Sequence, residues 1–236
     1  MERTSLDTAG CWIKPDFLPA HRCADLLAQV LAHRQRMPVP ALGREPDDRP
    51  LRQGVIDGLR IRRHLPEVVA LHRRVNTLVD MLHQAPLQPL EDEQLACNIT
   101  ITGPGGSERW HYDRHAVTAV VWLNAVDGGE TECCPNYRLR WPAGVDTAPQ
   151  RWLDQALRPA LVRQLFGRRR LVAPRAGQLL VMRGDRCLHG ARPVRGGIAR
   201  INIVMSFDVP DVRLQMSTRR DPYRRRHAEA EPHDPH

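Results

Sequence analysis

His111-Tyr112-Asp113 offers an imidazole and a carboxylate two positions apart. On a β-strand, residues i and i+2 point to the same face, so the two groups converge. His189 follows 76 positions after Asp113, behind a short apolar run. Two imidazoles and one carboxylate on one side of a metal leave three coordination positions open. That is the facial arrangement of a non-haem Fe(II) centre that also binds a cosubstrate and O2. A surface hydrogen-bonded pair is the plain alternative for His-x-Asp alone, so the surroundings decide. Arg200 stands inside the apolar run Ala199-Arg200-Ile201-Asn202-Ile203-Val204-Met205. A buried arginine needs an anionic partner. Its guanidinium fork matches a carboxylate through two hydrogen bonds, which makes a fixed dicarboxylate a good partner. An edge-strand arginine reaching solvent is the competing reading.

The elements that must hold these groups change character along the chain. Residues 20–35 read as a helix with Ala24, Leu27, Ala28 and Leu31 at helical spacing. Residues 36–53 carry Pro38, Pro40, Pro46 and Pro50 and read as a loop. Pro66 opens a second helix with Val68, Leu71, Val75, Leu78 and Leu82 as its stripe. Residues 84–92 form a proline-rich link. From about residue 95, short apolar runs alternate with turn signals. Leu95–Thr102, Glu108–Asp113, Ala116–Asn124, Glu130–Cys134, Leu171–Ala173, Gln178–Met182 and Ala199–Asp208 are the predicted strands. Such a series suggests a sandwich or barrel. Residues 149–166 read as a helical insertion broken at Pro159. The expected organisation is a helical and loop region over 1–94 packing on a β core over 95–210, then a polar tail over 211–236 rich in proline and histidine.

Composition narrows the function. The chain has 236 residues and is 42% apolar, enough for one substantial core. No run approaches the length of a membrane span, and Met1-Glu2-Arg3-Thr4 leads into no apolar signal segment, so a cytoplasmic location is expected. The six cysteines form no Cys-x-x-Cys pair and read as buried thiols. Net charge is +8, yet Lys14 is the only lysine and the arginines are spread along the chain. This skew resembles codon bias in a GC-rich genome, and it argues against a nucleic-acid groove.

Together these motifs resemble the Fe(II)- and 2-oxoglutarate-dependent oxygenases. Residues 95–208 look like their double-stranded β-helix, a mainly β jelly-roll or cupin-like fold preceded here by N-terminal helices. Gly128-Gly129-Glu130-Thr131 resembles the turn after the His-x-Asp strand in prolyl-hydroxylase-like members, and Ala176 to Met182 the strand before the distal histidine. A narrower likeness, to carrier-free amino-acid halogenases and their hydroxylase relatives, rests on Gly103-Pro104-Gly105, Trp110 to Arg114, Leu188-His189 and Pro193-Val194. The halogenases have a small residue where Asp113 stands. The carboxylate here should fill the halide position, so the resemblance implies hydroxylation or another C–H oxidation. It further implies Fe(II) held by His111, Asp113 and His189, with Arg200 on the far carboxylate of 2-oxoglutarate and O2 as oxidant. Succinate and CO2 would be released as a substrate C–H bond is oxidised.

Weaker candidates for cosubstrate contact are Thr131, Asn98 and Asn202, each equally readable as a structural strand residue. Trp110 and Trp122 read as core. His115 lies near the triad but fits a ligand role less well than His189. Glu108 and Arg114 flank the triad and could read a substrate ammonium or carboxylate, with solvated charge as the default. The expected substrate is a small, amino-acid-like molecule; a peptide or prolyl hydroxylase and a nucleic-acid dealkylase are the alternatives. Nothing in the sequence fixes the oligomeric state.

Overall fold

A computed structural model describes residues 5–37, 39, 41–42, 53–139, 147–157 and 159–210. The polar tail from residue 211, with its histidines and arginine run, lies outside the described residues. The chain opens with α1 (Leu6–Ala9), β1 (Cys11–Lys14) and the long α2 (Ala20–Arg36). β2 (Ala41–Leu42), β3 (Gln53–Ile56), α3 (Gly58–His64) and α4 (Pro66–Leu82) follow. Next come β4 (Gln88–Pro89), α5 (Glu93–Ala96), β5 (Cys97–Thr102), β6 (Glu108–His111), β7 (Val117–Trp122) and β8 (Thr131–Cys134). The insertion holds α6 (Ala148–Ala156) and α7 (Ala160–Phe166). After it run β9 (Arg170–Val172), β10 (Leu179–Met182), β11 (Leu188–Ala191) and β12 (Arg200–Asp208).

The strands form two antiparallel sheets. The larger runs β1-β10-β7-β12-β5-β3-β2, with β4 also pairing β12; the smaller runs β6-β11-β8-β9. Both belong to the expected jelly-roll core. Strand alternation divides the large sheet into two chemistries. Ile99, Ile101, Val121, Ile203, Met205 and Phe207 face the helices and share one core with Val30 of α2 and Val68, Val75 and Val79 of α4. Burying each such side chain contributes roughly 1.5–3 kcal/mol. The opposite positions, among them Thr100, Thr118, Arg200 and Asn202, face the space between the sheets and line a cavity.

Several expectations are corrected. The buried face of α2 carries Cys23, Leu26, Val30 and His33, while Leu31 of the predicted stripe is 40% exposed. Both stripes obey helical spacing; the larger Leu26 and Val30 win the core and the small Ala24 and Ala28 do not. The predicted loop 36–53 contains β2 and the start of β3, and the proline-rich link contains β4. The strand expected from Leu95 starts at Cys97, because Asp92 caps a short helix by accepting from the Gln94 backbone N–H. Residues 1–94 therefore add strands to the large sheet besides their helices. The insertion is helical and breaks at Pro159, which caps α7.

Candidate functional site

His111 ends β6 and His189 sits in β11, directly opposite it in the antiparallel register. Their rings lie 4.3 Å apart, centroid to centroid. Asp113 follows two residues after His111, fixed by its backbone N–H donating to the Gly184 carbonyl at 3.0 Å. Its Oδ1 lies 3.4 Å from His111 Nε2 and its Oδ2 3.5 Å from His189 Nε2. One donor atom from each of the three residues falls within 4.8 Å of the others, close enough to share a metal ion. His115 is outside this group; its Nε2 meets the Thr118 hydroxyl at 2.8 Å.

The backbone sets the tautomers. His111 Nδ1 meets the Arg109 carbonyl at 2.8 Å and His189 Nδ1 the Cys187 carbonyl at 2.9 Å. A carbonyl only accepts, so each Nδ1 carries a hydrogen, and Nε2, which faces Asp113, is the nitrogen left to ligate a metal once it gives up any proton. The Thr118 hydroxyl donates to Asp113 Oδ2, orienting the carboxylate. Electrostatics follow from the crowding. Burial works to raise the Asp113 pKa, but His189, His115 and His111 together hold it well below the usual carboxylate range. Burial also opposes charge on His111, yet its hydrogen bond to Asp113 and the nearby Glu108 raise it to about 9. His189 is lowered, chiefly by burial.

The three residues open into a cavity of about 400 Å³ between the sheets. Arg200 lines it at 5% exposure. Its Nη1 donates to the Gly129 carbonyl at 2.7 Å, and its Nε has no partner among the described residues. Burial pulls its pKa down, with Glu108 opposing. Gly129 has φ +64°, and a Cβ there would meet Arg200 Cδ at 3.2 Å. The Gly-Gly turn thus gives the arginine its room. Beside Arg200, buried Asn202 Oδ1, Thr102 Oγ1 and Trp122 Nε1 also have no partner among the described residues.

Of the other sequence candidates, Thr131 and Asn98 line the cavity, although Asn98 Nδ2 donates to its neighbour Leu95 O at 3.2 Å. Trp122 is buried as expected, but it also lines the cavity. Trp110 lies outside, under the Arg163 guanidinium at 4.2 Å. Arg114 is exposed at the mouth. The sequence reading missed Thr118 and Gly184. A Cβ on Gly184 would meet Asp113 Oδ2 at 2.7 Å and Thr118 Oγ1 at 2.8 Å. Strand parity would have found Thr118, which shares the inward face of β7 with Val120 and Trp122. Nothing local marks Gly184.

No family model matches the chain, and no curated protein matches it. Solved structures do. The epimerase SnoN, solved with Fe3+, alpha ketoglutarate and nogalamycin RO, is 19% identical over 85% of this chain and 79% of its own, with TM-score 0.65. The non-heme alpha ketoglutarate dependent carbocyclase SnoK from nogalamycin biosynthesis is 17% identical over 96% of this chain and 88% of its own, with TM-score 0.66. A prolyl-4-hydroxylase of Pseudomonas putida is 19% identical over 85% of this chain and 92% of its own, with TM-score 0.56. At these identities the likeness is one of fold.

Proposed function

We propose that the chain is an Fe(II)- and 2-oxoglutarate-dependent oxygenase that hydroxylates a C–H bond of a free amino acid or related small metabolite. The observation that carries this reading is one cavity holding both the His111–Asp113–His189 group and buried Arg200, whose Nε has no partner among the described residues. The donor set fits the metal: two neutral imidazole nitrogens and one carboxylate oxygen on one side suit non-haem Fe(II). The buried guanidinium, with Nε unsatisfied among the described residues, fits a dicarboxylate. When bound, the metal and cosubstrate supply O2 activation and the oxidative decarboxylation that releases succinate and CO2.

The chain's own residues provide geometry. The carbonyls of Arg109 and Cys187 fix both imidazoles in the ligating tautomer. Thr118 donates to the Asp113 carboxylate, and the absent Cβ of Gly184 leaves that carboxylate its room. Asp113 as a metal ligand would fill the position a halide would need, which favours hydroxylation over chlorination. Arg200 would hold the far carboxylate of the cosubstrate, with Thr131, Asn98 and Asn202 lining the same space. A cavity of about 400 Å³ suits a small substrate beside the cosubstrate.

Succinate release, followed with product mass, tests this across free amino acids, proline-containing peptides and methylated oligonucleotides. A gain of one oxygen on an amino acid, lost with His189→Ala together with bound iron, is expected. Turnover confined to peptides or oligonucleotides would overturn the substrate class. Full iron content and turnover in His189→Ala would overturn the oxygenase reading.

A further inference from the structure

Besides Asp113, Glu108 is the only carboxylate among the described residues that line the cavity. It starts β6, three residues before His111, and its side chain is 35% exposed. Its Oε1 lies 3.8 Å from His111 Nε2, its one ion-pair contact among the described residues. The neighbouring arginines are engaged elsewhere. Arg192 Nε donates to Glu132 at 2.9 Å, and Arg163 stacks over Trp110. Arg109 and Arg114 stand exposed at the mouth, where solvent screens them.

Charge balance then singles out Glu108. His111 Nε2 cannot serve both a metal and Glu108, so loading the site removes the one ion-pair contact Glu108 has among the described residues and leaves it only the longer-range attraction of Arg200. In the loaded cavity, the two positive charges of a divalent metal and that of Arg200 are matched by Asp113 and a dicarboxylate. Glu108 remains as the surplus carboxylate, half-buried and 3.8 Å from His111 Nε2. A carboxylate so placed is left underpaired unless the substrate brings a cation.

We propose that Glu108 is a specificity-determining residue that accepts a hydrogen bond from a cationic nitrogen of the substrate. The substrate class is thereby amines protonated at neutral pH, and phosphorylated or dicarboxylic substrates are selected against. This rests on the oxygenase reading above.

The test uses the full chain loaded with Zn(II) in place of Fe(II) and N-oxalylglycine in place of 2-oxoglutarate, so that no turnover occurs. Metal content and an N-oxalylglycine titration are measured first. Cyclohexylmethylamine, cyclohexylmethanol and cyclohexanecarboxylate then serve as probes of similar shape and different charge, titrated by ligand-observed NMR. The amine should bind about tenfold more tightly than the alcohol, the ratio expected of a charge-assisted hydrogen bond. Glu108→Gln should erase that preference while keeping zinc, and Glu108→Lys should shift it to the carboxylate. Equal binding of the three probes, no amine binding, or an amine preference that survives Glu108→Gln overturns the proposal. A wild-type chain that takes up neither zinc nor N-oxalylglycine sinks the oxygenase reading instead, so the two failures are distinguishable.

Discussion

Replacing Arg200 by methionine should change two quantities in opposite directions. In the free protein Arg200 is 5% exposed and, among the described residues, has one hydrogen bond, to Gly129 O, and an unpartnered Nε. A buried charge without a counter-ion destabilises the fold, and replacing buried ionic groups by apolar side chains of similar volume commonly stabilises by about 1–4 kcal/mol. Loss of the Gly129 contact takes back roughly 1 kcal/mol. A net gain of about 1 kcal/mol corresponds to a Tm rise of about 2–4 °C for a chain of this size. Cosubstrate binding should move the other way. Removing one partner of a buried charged pair costs about 3–5 kcal/mol, which is a Kd increase of roughly 100- to 4,000-fold. Thermal denaturation of both proteins, with Zn(II) and with or without saturating 2-oxoglutarate, reads both effects. The variant should melt higher alone and lose the ligand-induced rise seen in the wild type. A variant that melts several degrees lower and still gains the full increment from 2-oxoglutarate would show that Arg200 is a structural residue and that the dicarboxylate binds elsewhere.

Two further outcomes follow from close contacts and burial. Gly184→Ala should weaken metal binding about 10- to 100-fold, because its Cβ would press on Asp113 Oδ2 and the Thr118 hydroxyl that orients it; metal titration unchanged from wild type would refute the role of this contact. His72 packs against Phe207, and burial lowers its pKa from 6.5 to about 4. The unfolded chain therefore binds the proton first as pH falls, so stability is full above about pH 6.5, declines toward pH 4 and has lost about 3 kcal/mol there from this residue. Urea denaturation at pH 7 and pH 4.5 should show a smaller acid loss in His72→Leu than in the wild type; equal losses would show that His72 does not carry the effect.

The sequence made some of this legible because alternation is a local property. Polar residues at 98, 100 and 102 and again at 200, 202 and 206 could be read as one face each without knowing which strands pair. His111 and Asp113 converge for the same local reason. What stayed hidden depends on pairing. β11 is four residues long and contains Gly190, so it carries no strand pattern of its own; its place is set by β6 and β8 on either side. β1 and β3 are equally short and gain their hydrogen bonds from β10 and β5. Gly184 matters only because the fold carries Asp113 and Thr118 to it.

The parity of β12 also explains why a cavity forms here and not a solid core. Most of its residues are buried, so both faces are withdrawn from water. One face is apolar throughout, from Ile201 to Phe207, and packs on helices. The other carries Arg200, Asn202 and Ser206, each no more than 5% exposed. On an ordinary half-exposed sheet such residues would face solvent. Here they face the inside of a jelly roll, next to Thr100, Thr102 and Thr118 on the neighbouring strands. Polar groups confined there need either partners in the protein or a ligand. Arg200 Nε, Asn202 Oδ1 and Thr102 Oγ1 have none among the described residues. A face that is polar, buried and unsatisfied is unfavourable for the empty fold. An anionic ligand would supply the acceptor that Arg200 Nε lacks, while Asn202 Oδ1 would need a donor, and this ties the inward parity of one strand to the chemistry of His111, Asp113 and His189 across the cavity.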